Sequence, residues 1–190
     1  MERVCNAPDP FFAVILEQPA LHGIHDHLSH DAVVVYIQPV IPVECNGRVR
    51  ANYPECQLVG PCGNAETSEE AKAKTGGIAK LFSLATAEDL LNGTKEPLDI
   101  YSYHAYNGIS ERLAPMLPHM HWDPEKVTSE EYLNSQIDSA VRTIPTKEKY
   151  CPGGEIWVTE SGDAGAGGNT WASTYLDVLR TLNELGGFAR

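Results

Sequence analysis

A carboxylate that ends an apolar, β-branched run and opens onto glycines is well placed for chemistry. Glu160 is such a residue. Glu155-Ile-Trp-Val-Thr159 precedes it and Ser161-Gly-Asp-Ala-Gly-Ala-Gly-Gly168 follows it. In parallel α/β sheets the carboxyl ends of strands face the site, so a glutamate there meets substrate while the strand behind it stays packed. The glycines let the backbone after it come close to a ligand and aim N–H groups at an anion. The same residues also suit a plainer arrangement, in which the carboxylate caps the next helix and the glycines form a turn.

A second constellation is Tyr101-Ser-Tyr-His-Ala-Tyr-Asn-Gly108. Strand alternation puts Tyr101 and Tyr103 on one face, and Ser102 and His104 on the other. Aromatic rings with an imidazole at a strand end suit sugar stacking and the orienting of a carboxylate. Aromatic core packing around a satisfied histidine is the alternative. Histidines at 22, 25, 27 and 30, and at 119 and 121, raise the question of a metal. Neither His25-x-His27 nor His119-x-His121 has a cysteine or carboxylate at a diagnostic spacing, so solvated loop histidines are the expectation and no metal or other cofactor is implied. No Gly-Lys-Ser/Thr follows the glycine run, so it is not a phosphate-binding P-loop.

The elements that must position these residues alternate short β-like runs with amphipathic, helix-length runs, as βα units of a parallel sheet do. Cys56-Gln-Leu-Val-Gly60, between two prolines, reads as a buried strand, as does Leu98-Asp-Ile-Tyr-Ser-Tyr-His104. Ser68-Glu-Glu-Ala and Thr86-Ala-Glu-Asp89 begin helices with acidic first turns, and Gly93 closes the second. Thr128-Ser-Glu-Glu131 forms a capping box for a helix carrying Leu133, Ile137, Ala140, Val141 and Ile144, which Pro145 is expected to stop. A last helix presents Trp171, Tyr175, Leu176, Leu179, Leu182 and Leu185 on one stripe and ends at Gly186-Gly187. Nearer the amino terminus, Phe11–Leu16 reads as a strand and 32–37 is β-rich, with Pro39 and Pro42 forbidding a regular helix across them.

Composition narrows the partners. The chain has 190 residues, 42% apolar and 21% charged, which suits one globular domain. Its 26 acidic against 14 basic residues give a formal charge of −12. Nucleic acid and anionic membranes are therefore unsuitable partners, since both need a basic face. No apolar run approaches the roughly eighteen residues of a membrane span. Five scattered cysteines without a CxxC, and a start that lacks a signal-peptide pattern, favour reduced thiols in a cytosol.

Two segments carry a likeness. Trp157-Val-Thr-Glu-Ser-Gly-Asp-Ala-Gly-Ala-Gly-Gly-Asn-Thr-Trp171 and Asp99-Ile-Tyr-Ser-Tyr-His-Ala-Tyr-Asn-Gly108 resemble glycoside hydrolase family 79, the heparanase and β-glucuronidase relatives. Cys56-Gln-Leu-Val-Gly-Pro61 resembles the strand these proteins place between their two catalytic carboxylates. The resemblance implies an α/β fold, a partial (β/α)8 TIM barrel holding roughly strands four to seven with their helices. It divides the chain into a divergent segment over 1–52 with one barrel strand, and a family 79-like partial barrel over 53–190. It further implies retaining hydrolysis of β-linked uronic acid glycosides, with Glu160 as nucleophile and His104, Tyr106 and Asn107 toward the sugar. Backbone N–H groups at Ala166, Gly167 and Gly168 would receive the uronic acid carboxylate.

The family takes its acid/base from an Asn-Glu-Pro at the end of strand four, and this sequence contains none. Aligning Ile15-Leu-Glu-Gln-Pro-Ala-Leu-His22 on Pro19 puts Gln18 in the acid/base place and Glu17 where the asparagine should be. An amide cannot donate and retrieve a proton, so Glu17 is the carboxylate left for the role. A complete barrel takes about 250 residues, so strands one to three and eight are expected to be missing. The open barrel edges would then favour self-association. An inactive fragment, or a sugar-binding remnant without turnover, is the alternative these departures raise.

Overall fold

The computed structural model describes residues 15–16, 34–36, 44–76 and 84–189. Five strands form one sheet in the order β1-β2-β3-β4-β5: β1 is Ile15–Leu16, β2 Val34–Tyr36, β3 Gln57–Gly63, β4 Ile100–Ile109 and β5 Glu155–Gly165. Strands β2 to β5 are parallel neighbours in chain order, as expected of successive βα units, and β1 is antiparallel to β2. The helices are α1 (Glu44–Asn52), α2 (Ser68–Thr75), α3 (Ala87–Leu91), α4 (Glu130–Tyr150) and α5 (Tyr175–Phe188). The fold is α/β. No helix among the described residues is long and apolar enough to cross a membrane.

The core lies between one sheet face and the crossover helices. Leu58, Tyr101, Tyr103 and Ala105 pack there with Ala87 and Leu91 of α3, joined by Val49 of α1 and Ala140 of α4. That face takes the odd-numbered residues of β4 and leaves the even-numbered ones, including His104 and Tyr106, to the other. Arg50 ties α1 to the sheet by donating to the Asp99 carboxylate at 2.6 Å, and the same carboxylate accepts from the Leu58 N–H at 2.7 Å.

Caps set the helix starts. Thr86 and Asp89 form a capping box on α3, and Thr67 caps α2. For α4 the cap is Ser129, whose hydroxyl accepts from the Tyr132 N–H at 3.2 Å, one residue beyond the expected Thr128. Pro145 does not stop this helix, which continues to Tyr150. The carbonyl it orphans, four residues back, belongs to Val141 on the exposed side, where water can satisfy it.

Two further expectations are corrected at the carboxyl end. Helix α5 passes through Gly186-Gly187 to Phe188, and Gly187 lies close against the Ile137 side chain of α4. The apolar stripe of α5 also faces outward, with Leu182 61% and Leu185 65% exposed, while Arg180 and Glu184 are buried as an ion pair. Trp171 precedes the helix, in a short turn, and is buried against Tyr132.

Strand β1 departs from the barrel expectation. A fourth barrel strand would run parallel beside β3. Instead β2 separates β1 from β3, and β1 runs the other way. Its carboxyl end therefore points toward the end of the sheet opposite to the carboxyl ends of β3, β4 and β5. Glu160, expected to end its strand, stands midway along β5, which pairs with β4 as far as Gly165.

Candidate active site

Two bulges at one height shape the site. Between β3 and β4 the register passes from Pro61↔Ser102 to Gly63↔Tyr103, leaving Cys62 unpaired with φ 57°. Between β4 and β5 it passes from Tyr103↔Val158 to His104↔Glu160, leaving Thr159 unpaired. Such a bulge re-aims every side chain after it. Trp157 pairs with Ser102, so simple alternation would turn Glu160 toward the helices. The extra residue turns it back, onto the face that carries His104 and Tyr106.

There the Glu160 carboxylate meets both neighbours. His104 Nδ1 lies 3.4 Å from Glu160 Oε2, and the Tyr106 hydroxyl donates to the same oxygen. Oε1 has no hydrogen-bond partner among the described residues, and Glu160 is half exposed. Burial holds the His104 imidazole below its ordinary pKa, and the Glu160 carboxylate opposes that shift. A neutral histidine can donate to the glutamate without adding a cation beside it. The Tyr106 hydroxyl is pushed up to about 12, first by burial and then by its hydrogen bond to Glu160, so it remains a donor.

After Glu160, the backbone runs past the Tyr106 ring. A Cβ on Gly162 would lie 3.4 Å from that ring, and one on Gly165 would lie 3.7 Å from it. Three residues in succession then take positive φ: Ala166 at 64°, Gly167 at 110° and Gly168 at 71°. An alanine in this region costs roughly 1–2 kcal/mol, so the neighbours must hold it there. They do so through carbonyls. Ser110 N donates to Gly165 O at 2.9 Å, Arg112 Nη2 to Ala166 O at 2.8 Å and Ser110 Oγ to Gly168 O at 2.8 Å. The N–H groups of 166, 167 and 168 engage no acceptor among the described residues.

The far side of the turn is anchored by aromatic packing. Tyr132 meets Trp122 and Trp171 edge-on at centroid separations of 5.2 and 5.9 Å. The Trp122 indole N–H donates to Asn107 O at 2.9 Å, which fixes the end of β4.

The residues singled out from sequence separate in the structure. Glu160, His104 and Tyr106 converge on one oxygen, and Ala166, Gly167 and Gly168 form the adjoining turn. Asn107 does not join them: it faces α4, 8% exposed, and its amide donates to Tyr132 O and Ser135 Oγ at 2.7 Å each. Its place in β4, an odd-numbered residue on the helix face, accounts for this correction. Glu17, Gln18 and the histidines from 22 to 30 lie outside the described residues. His119 is engaged at 3.0 Å with the Ala73 carbonyl of α2. Sequence reasoning missed Ser110 and Arg112, although a hydroxyl and a cation directly after a strand, facing a glycine run, were a usable signal.

Neither a protein-family model nor a curated protein matches the chain.

Proposed function

We propose that the protein is a retaining glycoside hydrolase acting on β-linked uronic acid glycosides through Glu160. The observation that carries this reading is the paired contact of His104 and Tyr106 on a single oxygen of the half-exposed Glu160 carboxylate, midway along β5. Those two donors orient the group and leave Oε1 for attack. Oε1 bonds to the anomeric carbon while the bond to the leaving oxygen breaks, and a proton must reach that oxygen. Water then attacks the glycosyl ester and gives up its proton, releasing the sugar with its configuration retained. The N–H groups of 166, 167 and 168 would receive the substrate's carboxylate. The parallel run β2-β3-β4-β5, with its helices on one face, would be a segment of a (β/α)8 barrel.

Hydrolysis of an aryl β-glucuronide tests this reading. Turnover that Glu160→Gln abolishes supports it. Turnover unaffected by that change, or no turnover together with no glucuronate binding, rejects it.

A second reading is a sugar-binding site without turnover. It is favoured by the antiparallel course of β1, the strand expected to lead into the second carboxylate. Retaining chemistry needs a second carboxyl group about 5–5.5 Å from the first. Glucuronate binding that survives in Glu160→Gln, with no turnover by the unaltered chain, supports this reading.

A further inference from the structure

The two residues that the bulges leave without register partners sit on strands that do not pair with each other, yet their side chains meet. Thr159 of β5 directs its hydroxyl at Cys62 Sγ of β3, 3.8 Å away, and at the Tyr103 carbonyl of β4, 3.4 Å away. Ser102 Oγ of β4 lies 3.1 Å from the same sulfur. A polar bridge therefore spans three strands at the height where both registers shift.

The bridge joins two distortions that each need holding. Cys62, at φ 57°, occupies a region that costs a non-glycine residue roughly 1–2 kcal/mol, so its neighbours must keep it there. Cys62, Ser102 and Tyr103 are all buried, and water competes little for their contacts. Bonds to sulfur are individually weak. The value of the Thr159 hydroxyl lies in reaching two other strands at once. Its β-branched side chain has few χ1 rotamers, which fixes where the hydroxyl points. Thr159 also immediately precedes Glu160. Without the extra residue Glu160 would turn to the helix face, so whatever secures the bulge decides whether the carboxylate meets His104.

We propose that Thr159 is a positioning residue for Glu160: bridged to Cys62 and Ser102, its hydroxyl locks the bulge that carries the carboxylate to His104. The kinetic consequence rests on the hydrolase reading of Glu160, and the structural one does not. NMR titration of the His104 ring tests the structural half. Glu160→Gln changes the His104 pKa according to how closely the carboxylate approaches the ring. That change should shrink at least about twofold in a Thr159→Val background, as Coulomb attraction does when a separation doubles. Thr159→Ser, which keeps the hydroxyl, should restore most of it. Cys62→Ala removes the other end of the bridge and should act in the same direction as Thr159→Val. A general loss of stability would leave the change intact in the folded chain. On an aryl β-glucuronide, Thr159→Val should lower kcat by about tenfold or more with KM nearly unchanged. An undiminished His104 response in both Thr159→Val and Cys62→Ala overturns the proposal, as does a kcat equal to that of the unaltered chain. A diminished response in a chain that never turns over the glucuronide upholds the lock and rejects the hydrolase reading alone.

Discussion

His104 and Glu160 are register partners on adjacent parallel strands, and their side chains meet at 3.4 Å only because Thr159 is bulged out between them. The contact makes the imidazole report on the carboxylate. Glu160 raises the His104 pKa against a larger depression caused by burial. Removing the charge in Glu160→Gln should therefore lower the His104 pKa further, as measured by NMR titration of the ring protons. A pKa that stays or rises in that variant would show that the two groups do not interact.

The same coupling fixes a pH dependence of stability. Folded His104 binds its proton less tightly than an unfolded imidazole, whose pKa is about 6.5. Its contribution is complete above that value and is lost as pH falls through the folded pKa. Denaturation of Glu160→Gln should show a deeper loss on the acid side, and His104→Gln should remove this part of the profile. Parallel curves for the three proteins would contradict the assignment.

Tyr106 tests the second donor on Glu160. A hydrogen bond to a charged acceptor is worth about 1.5–3 kcal/mol. Tyr106→Phe should therefore cost stability of that order or less at this exposed site, and by loosening the orientation of the carboxylate reduce kcat on an aryl glucuronide by roughly tenfold. An unchanged kcat would remove Tyr106 from the orientation of the carboxylate.

Glycine at 108 is required by its surroundings. A Cβ there would lie 2.5 Å from the Met120 carbonyl and 2.7 Å from Trp122 Cδ1. Gly108→Ala should destabilise the fold by about 1–3 kcal/mol, as seen in urea denaturation, because a backbone atom cannot yield as a side-chain tip can. Pro145→Ala gives the opposite sign. It restores a helix hydrogen bond to Val141 and should raise stability by about 2 kcal/mol and Tm by several degrees.

Much of this arrangement could be read from the chain alone, where local chemistry dictated it. The β-branched run before Glu160, the alternation in 101–106 and the Thr86–Asp89 cap all depend on neighbours in sequence. Elsewhere the deciding partner was distant. Pro145 is tolerated because Val141 faces solvent, and α5 runs on through Gly187, where it packs against Ile137 of α4. Asn107 turns to α4, away from Glu160, because of amide partners, Tyr132 and Ser135, that lie 25 and 28 residues away. The bulge at Thr159 was equally invisible, since it comes from a mismatch of two strands. The antiparallel course of β1 depends on strand pairing, which short apolar runs do not specify.

Covalent capture tests the nucleophile most directly. A 2-deoxy-2-fluoro-β-glucuronyl fluoride carries a leaving group that needs no protonation, so it bypasses the acid/base altogether and isolates the attack proposed for Glu160. Intact-mass spectrometry should show one fluoroglucuronyl adduct per chain, mapped by peptide sequencing to Glu160 and absent from Glu160→Gln. A chain that stays unlabelled on prolonged incubation, or carries its label on another carboxylate, contradicts that role.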